Sequence, residues 1–380
     1  MEEFVLCIDI GTSSVKSALV GFKGKVICFH QIKYSDFPEA CKNAEIWENC
    51  VTILVNSIRK KIKTKWERVK GVCISGNGPT FVLQDKTIFL WNHKVDFEIP
   101  AFGKSLFLPR LFALKKLYPQ QYSHSKFVFS GPEYLIYSMT GNAVTILPQH
   151  SFSDFYWPRE NLNQFESSGI FEDDLKKLPP FVLSGTIAGL CKNSGFNLDN
   201  LPVICGAPDF VSALVGTGTI ESGKMCNRAG SSEGFNLCTS FPMAAENIRC
   251  MPSIINGLWN ASTLIPDSGS DVYDLFCKKI SNKIKFENYC SKINSAFMTL
   301  KNCAALNNQI FPDSFVITGG QSKIKGGIKL KKKLLGSKIN LAQIPDAELL
   351  GNGCIGFVAL GKYDSLQNAV KNIVHLRKLI

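Results

Sequence analysis

The chain opens on an apolar run beginning at Phe4, breaks at Gly11-Thr12-Ser13-Ser14, and resumes at Ala18-Leu19-Val20. Apolar residues on both sides of a short Gly- and hydroxyl-rich centre predict two strands joined by a tight hairpin. Strand-like alternation continues to about residue 35, with Gly21 and Gly24 as turn signals. Helical spacing over 44–62 follows, then a strand at 71–75, another at 81–91, and helices near 109–118 and 132–139. Residues 142–200 are less regular, interrupted at Trp157-Pro158 and Leu178-Pro179-Pro180. Leu201 to Cys205 reads as a buried strand that Gly206 ends, with Pro208 and Asp209 in the first turn of the next helix. The second half repeats the plan. Strands within 224–238 flank Gly230-Ser231-Ser232, followed by a helix near 271–280, helical patterns to about 307, a strand at 314–318 and a glycine-bearing helix at 347–361. Strands preceding helices in both halves predict an α/β protein of two domains, 1–222 and 223–380, hinged around Thr219 to Gly223.

The composition is 45% hydrophobic and 19% charged over 380 residues, enough apolar material for two cores. No apolar stretch is long enough to span a bilayer, so no membrane partner is expected. The acidic start Met1-Glu2-Glu3 runs straight into a core strand, which predicts no secretory signal. Fourteen cysteines are scattered singly, without zinc spacing, and read as small buried hydrophobes in a reducing, cytoplasmic setting. The net charge of +12 gathers in two clusters, Arg59–Lys65 and Lys323–Lys338. The first decorates the exposed end of a helix. The second, with Lys331-Lys332-Lys333 at its centre, reads as an amphipathic helix with a solvated basic face. No aromatic-basic interleaving accompanies either, so nucleic acid is not an expected partner.

Three segments carry chemistry. Gly11 lets the first hairpin turn tightly, and Thr12, Ser13 and Ser14 add hydroxyls to backbone N–H groups that can nest anionic oxygens. Asp9 places a carboxylate beside that nest, where a phosphate-bound Mg²⁺ would sit. An ordinary hairpin with capping Asp and Ser residues fits the same stretch. The second hairpin, Gly230-Ser231-Ser232, favours phosphate binding, because structural hairpins need no such matched pair. Asp209, in a first helical turn, is favoured as the ionised carboxylate. It can orient a hydroxyl and accept its proton during phosphoryl transfer, or serve only as a cap. Gly351, Gly353 and Gly356 clear side chains from one helix, admitting either a purine or a packed neighbouring element.

Taken in order, Asp9-Ile-Gly-Thr-Ser-Ser-Val-Lys16, Gly206-Ala-Pro-Asp209, Gly230-Ser-Ser232, Thr318-Gly-Gly-Gln-Ser322 and Glu348-Leu-Leu-Gly-Asn-Gly353 resemble the motifs of the FGGY carbohydrate kinases. The resemblance extends over nearly the whole chain. It implies two ribonuclease H-like (actin-like ATPase) domains with a ligand cleft between them, and ATP-dependent phosphorylation of a sugar or polyol. By that resemblance Asp209 is the catalytic base and Asp9 the metal-side aspartate. Gly11, Thr12, Ser13 and Lys16 match the first phosphate motif, and Gly230, Ser231 and Ser232 the second. Gly319, Gly320 and Gln321 match the adenosine motif, with Glu348, Gly351 and Gly353 on the helix beside it. Asn77, Gly78, Trp91 and Phe210, with Asp209, fall on the sugar side, and the Asn77–Pro79 loop favours a ketose such as xylulose. ATP and Mg²⁺ are the implied cofactors, ADP the product, and a homodimer is left open. The chain departs from the family between about Ser270 and Phe315, where relatives carry a longer insertion, at Phe210, where Gln or Asn is common, and at Lys94, where Arg is usual. A nucleotide-binding sensor or regulator without efficient kinase chemistry is the alternative these departures suggest.

Overall fold

The computed structural model describes residues 2–157, 168–198, 200–280 and 282–378. Pro158, expected to break the chain after Trp157, lies outside them. The chain divides into two units, residues 1–210 with 355–366, and residues 211–354 with 367–380.

In the first unit, β1 (Phe4–Ile10), β2 (Ser14–Gly21) and β3 (Val26–Lys33) form an antiparallel meander, followed by α1 (Glu45–Ile62) and β4 (Val69–Gly76). Then come β5 (Phe81–Leu83), β6 (Ile88–Phe89), α2 (Leu108–Leu117), α3 (Pro119–His124), β7 (Val128–Ser130) and α4 (Gly131–Thr140). The last are β8 (Thr145–Leu147), α5 (Glu172–Lys176), β9 (Phe181–Leu183), β10 (Ile187–Leu190), β11 (Pro202–Pro208) and the start of α6 (Asp209–Gly216). The main sheet runs β10-β11-β4-β1-β2-β3, with β1, β4 and β11 parallel. The apolar stripe of α1, from Trp47 through Cys50, Val51, Leu54, Val55 and Ile58 to Ile62, is buried in the core of this unit.

The second unit repeats this order. β12 (Met225–Ala229), β13 (Glu233–Thr239), β14 (Arg249–Pro252) and β15 (Trp259–Ser262) precede α7 (Ser268–Phe276) and α8 (Lys283–Leu306). β16 (Ser314–Thr318), α9 (Lys325–Leu335), β17 (Lys338–Leu341), α10 (Ala347–Ala359), α11 (Leu366–Ile373) and β18 (Arg377–Lys378) follow. Its sheet runs β14-β15-β13-β12-β16-β17-β18. Five strands in each sheet share one plan: β3-β2-β1-β4-β11 and β15-β13-β12-β16-β17, with two antiparallel pairings followed by two parallel ones. Tyr289, Ile293, Phe297 and Leu300 of α8 are buried, and Phe297 meets the rings of Phe235 and Phe315.

Two expectations shift, at 81–91 and at Gly206–Pro208. At the sequence boundary between the units, Phe210–Val211, the body of α6 packs on the first half of α10. A Cβ on Gly351 would lie 1.9 Å from the Ser212 carbonyl oxygen, and one on Gly216 would lie 1.8 Å from that of Ala347. The stretch 81–91 is two short strands turned at Lys86, whose φ is 71°. Gly206 lies inside β11, and Pro208 closes that strand across a register shift instead of opening the helix. A proline at a strand end withholds no N–H that the ladder needs.

Glu133, in the first turn of α4, closes a capping box with Ser130. Its Oε2 accepts from the Ser130 N–H at 3.0 Å and its Oε1 from the Ile146 N–H at 2.6 Å. Burial pushes its carboxyl up to about 7, against those bonds. The folded state therefore holds a proton that the unfolded chain releases nearer pH 4.5. Stability from this group is present below that pH and is lost as pH rises toward 7. Denaturant melts from pH 4.5 to 8 should show that decline in the wild type, and a flatter profile in Glu133→Gln.

Candidate functional site

In the first unit the three parallel strands end in one row, with Gly76 paired to both Ile10 and Pro208. The next residues of each strand, Gly11, Asn77 and Asp209, therefore emerge at the same carboxyl edge of the sheet, where open α/β sheets bind ligands. Asp9 lies one step below, 2% exposed, opposite Ser75 and Lys16 in register. The Ser75 hydroxyl donates to Asp9 Oδ1 at 2.7 Å. The hairpin closes with Gly11 N–H donating to Ser14 O at 2.9 Å.

The Thr12 hydroxyl oxygen accepts from Asn77 Nδ2 at 2.7 Å and from Trp91 Nε1 at 2.9 Å. With both lone pairs so engaged, its own O–H remains the donor. The expected phosphate residue Thr12 and the expected sugar-side residues Asn77 and Trp91 are thus one hydrogen-bonded group. Trp91 is 46% exposed. Gly78 is exposed, and a Cβ there would still clear the Phe107 ring by 3.5 Å. Asp209 is half-buried, and its Oδ1 accepts from the N–H of half-buried Phe210 at 2.6 Å.

Arg110 was not singled out in the sequence. Its guanidinium lies 4.1 Å from the centre of the Phe89 ring and donates to Leu90 O at 2.5 Å and His93 O at 3.0 Å. It thus fixes the backbone on both sides of Trp91. An arginine in a plain amphipathic helix gives no sequence signal for that contact.

In the second unit the corresponding edge carries the other hairpin. β12 and β16 are paired at Arg228 and Thr318, so the Gly230 turn and the loop from Gly319 leave side by side. Gly319 has φ 92°, and a Cβ on it would lie 2.4 Å from Ala229 O, so only glycine fits. The turn's carbonyls all point into protein. Gly230 O accepts from Gln321 Nε2 at 3.0 Å, Ser231 O from Gly269 N–H at 2.9 Å, and Ser232 O from Gly230 N–H at 2.9 Å. A cavity of about 450 Å³ opens beside it, lined by Gly230, Ser231, Gly320 and Gln321 together with Asp267, Gly269, Ser270, Tyr273 and Ile324. Glu348, Gly351 and Gly353 are not in that lining. Gly351 lies against α6, where a Cβ would meet the Ser212 carbonyl.

The basic cluster holds the clearest difference from expectation. Lys331 is 2% exposed, not solvated. Its ammonium lies 2.6 Å from Glu233 Oε1, 3.1 Å from Asn227 Oδ1 and 3.2 Å from Gln321 Oε1. The contacts to Asn227 and Gln321 are hydrogen bonds, and that to Glu233 is an ion pair. Burial lowers its pKa while Glu233 opposes that shift. The helical period would have placed residue 331 beside Ile328 and Leu335, but a lysine in a basic run gives no sign of its partner 98 residues earlier, on β13.

The repeated five-strand plan, with a Gly-hydroxyl turn at each carboxyl edge, is the two-domain actin-like, ribonuclease H-like ATPase fold of the FGGY-type carbohydrate kinases. Solved structures of this fold align with nearly the whole chain. Xylulose kinase from Lactobacillus acidophilus is 15% identical with a TM-score of 0.76, covering 99% of this chain and 93% of that one. Gluconate kinase from the same organism is 14% identical with a TM-score of 0.74, covering 100% and 93%. Plasmodium falciparum glycerol kinase, solved with ADP, is 13% identical with a TM-score of 0.75, also covering 100% and 93%. By sequence, no protein-family model and no curated protein matches the chain. Among the described residues no helix is long and apolar enough to cross a membrane, and no cluster of three or more His, Cys, Asp or Glu is poised to hold a metal.

Removing one member of a buried ion pair strands the other. Lys331→Met should lower the unfolding free energy by about 3–5 kcal/mol, read from urea denaturation.

Proposed function

We propose that the protein transfers the γ-phosphoryl group of ATP to a hydroxyl of a sugar or polyol. The observation that carries this reading is the doubled edge: a Gly-hydroxyl turn at the carboxyl ends of parallel strands in each unit, with Asp209 one residue past the row in the first. The kinase structures that share the fold support it. A linear ketose such as xylulose is the favoured acceptor, from the Asn77–Pro79 loop and from the xylulose kinases among the similar structures.

The second unit would take the nucleotide. The Ser231 and Ser232 hydroxyls and backbone would face phosphate, and the cavity with Gly320 and Gln321 would take the nucleoside. In the first unit the Gly11–Ser13 turn and Lys16 would meet the transferring phosphate. Asp9 fits a Mg²⁺ ion in position and chemistry. It is a carboxylate beside the turn, held by Ser75, and Mg²⁺ takes only one or two carboxylates alongside phosphate oxygens. Bound there, the ion would offset phosphate charge. Asn77 and Trp91 would hold the acceptor through the network centred on Thr12. Asp209 would orient the acceptor hydroxyl and take its proton as the new O–P bond forms and ADP leaves with the old one. Fourteen cysteines, all free, fit a reducing cytoplasm.

The second reading is a nucleotide-binding sensor or regulator. Phe210 favours it, since an apolar side chain next to Asp209 cannot hold an acceptor hydroxyl. ADP release from Mg·ATP against a panel of pentuloses, hexuloses, aldoses and polyols separates the two. A kinase shows one acceptor raising turnover well above the no-sugar rate, and Asp209→Asn lowers that turnover by about 10²–10⁴-fold while ATP still binds. Nucleotide binding with no acceptor-dependent turnover in the wild type would point to the sensor.

A further inference from the structure

We infer that Lys331 is a positioning residue for the nucleotide turn, acting through Gln321. This rests on the nucleotide reading of the second unit. Its ammonium is bonded to Asn227 on β12, to Glu233 at the start of β13, and to Gln321 in the loop after β16. The first two stand on either side of the Gly230–Ser232 turn, so one cation ties both strands of the hairpin to the neighbouring loop.

The bond to Gln321 also decides which way its amide points. Lys331 can only donate, so the oxygen of the Gln321 amide must face it. The amide nitrogen is then turned the other way, donating to Gly230 O at 3.0 Å and to Ser268 Oγ at 3.0 Å. Those two acceptors are the turn itself and the first residue of α7, whose neighbour Gly269 holds Ser231 O. The chain of bonds therefore runs from a buried charge to the carbonyl of the turn, and the turn's N–H groups are oriented by what holds its carbonyls. Gln321 is buried, at 5% exposure, yet lines the 450 Å³ cavity. Lys331 itself is not part of that lining and would touch no ligand.

A purely structural ion pair would behave differently. Replacing a buried pair by apolar residues of similar size is often neutral or stabilising for the fold. The double variant Lys331→Met/Glu233→Leu strands no charge and should therefore lose much less stability than Lys331→Met alone. It removes the anchor of Gln321, so the dissociation constant of a ribose-labelled fluorescent ATP should rise about tenfold or more. Gln321→Leu alone should weaken binding to a similar degree. In the double-variant background it should add little, because both changes break one chain of bonds.

Unchanged ATP affinity in the folded double variant overturns the inference and leaves Lys331 a structural residue. Full additivity of the Gln321 change does the same. Should the double variant fail to fold, Gln321→Leu decides: wild-type affinity in that variant overturns the inference. A wild type that binds no labelled ATP overturns the nucleotide reading itself, and the inference with it, which distinguishes the two failures.

Discussion

The second unit is organised around one ion pair sealed from water, Lys331 with Glu233. Such a pair is tolerable only when every proton and lone pair finds a partner, since desolvating two charges costs more than an imperfect contact returns. Here the ammonium draws its partners from three separate segments: β12, β13 and the loop after β16. Each must arrive in register for the charge to be satisfied. Tyr289 of α8 completes the set, its hydroxyl reaching Glu233 Oε2 at 3.5 Å, and burial beside that carboxylate raises the phenol's pKa. Partly satisfied buried networks are penalised heavily, so this one leaves the hairpin turn little freedom.

The first unit meets the same geometric problem with a network of neutral groups at its turn. Ile10, Gly76 and Pro208 line up, and neutral donors converge on a single hydroxyl, that of Thr12. Arg110, outside the turn, holds the Trp91 backbone from behind. The two units thus share a strand plan and a place for their turns. At the second turn stands a buried ammonium, and at the first a web of amide, indole and hydroxyl.

The elements were largely legible because their signals are local. The hairpin at Gly11, the stripe of α1, the turn at Gly230 and the strand before Gly319 all stand where apolar spacing and glycine put them. The ordered motifs pointed to the kinase fold, although identity to the solved structures is only 13–15%. What stayed hidden depends on pairings far apart in the chain. Lys331 reads as one more solvated lysine until Glu233 is seen beside it. The need for glycine at 351 comes from Ser212 on another helix, so it was indistinguishable from the need of a ligand. The link of Asn77 and Trp91 through Thr12 joins residues that sequence had divided between two substrates.

In the proposed kinase, the nucleotide binds at the carboxyl edge of the second unit's sheet and the acceptor at that of the first. Amide hydrogen exchange, run with a non-hydrolysable ATP analogue alone and with the turnover-active sugar alone, separates the two. Nucleotide is expected to slow exchange at Gly230–Ser232, Gly319–Ser322 and Gly11–Ser13, and sugar to slow it at Asn77–Gly78 and Asp209–Phe210. Protection falling instead on the separate cavity lined by Thr217–Thr219, Lys224 and Asn340 would contradict it.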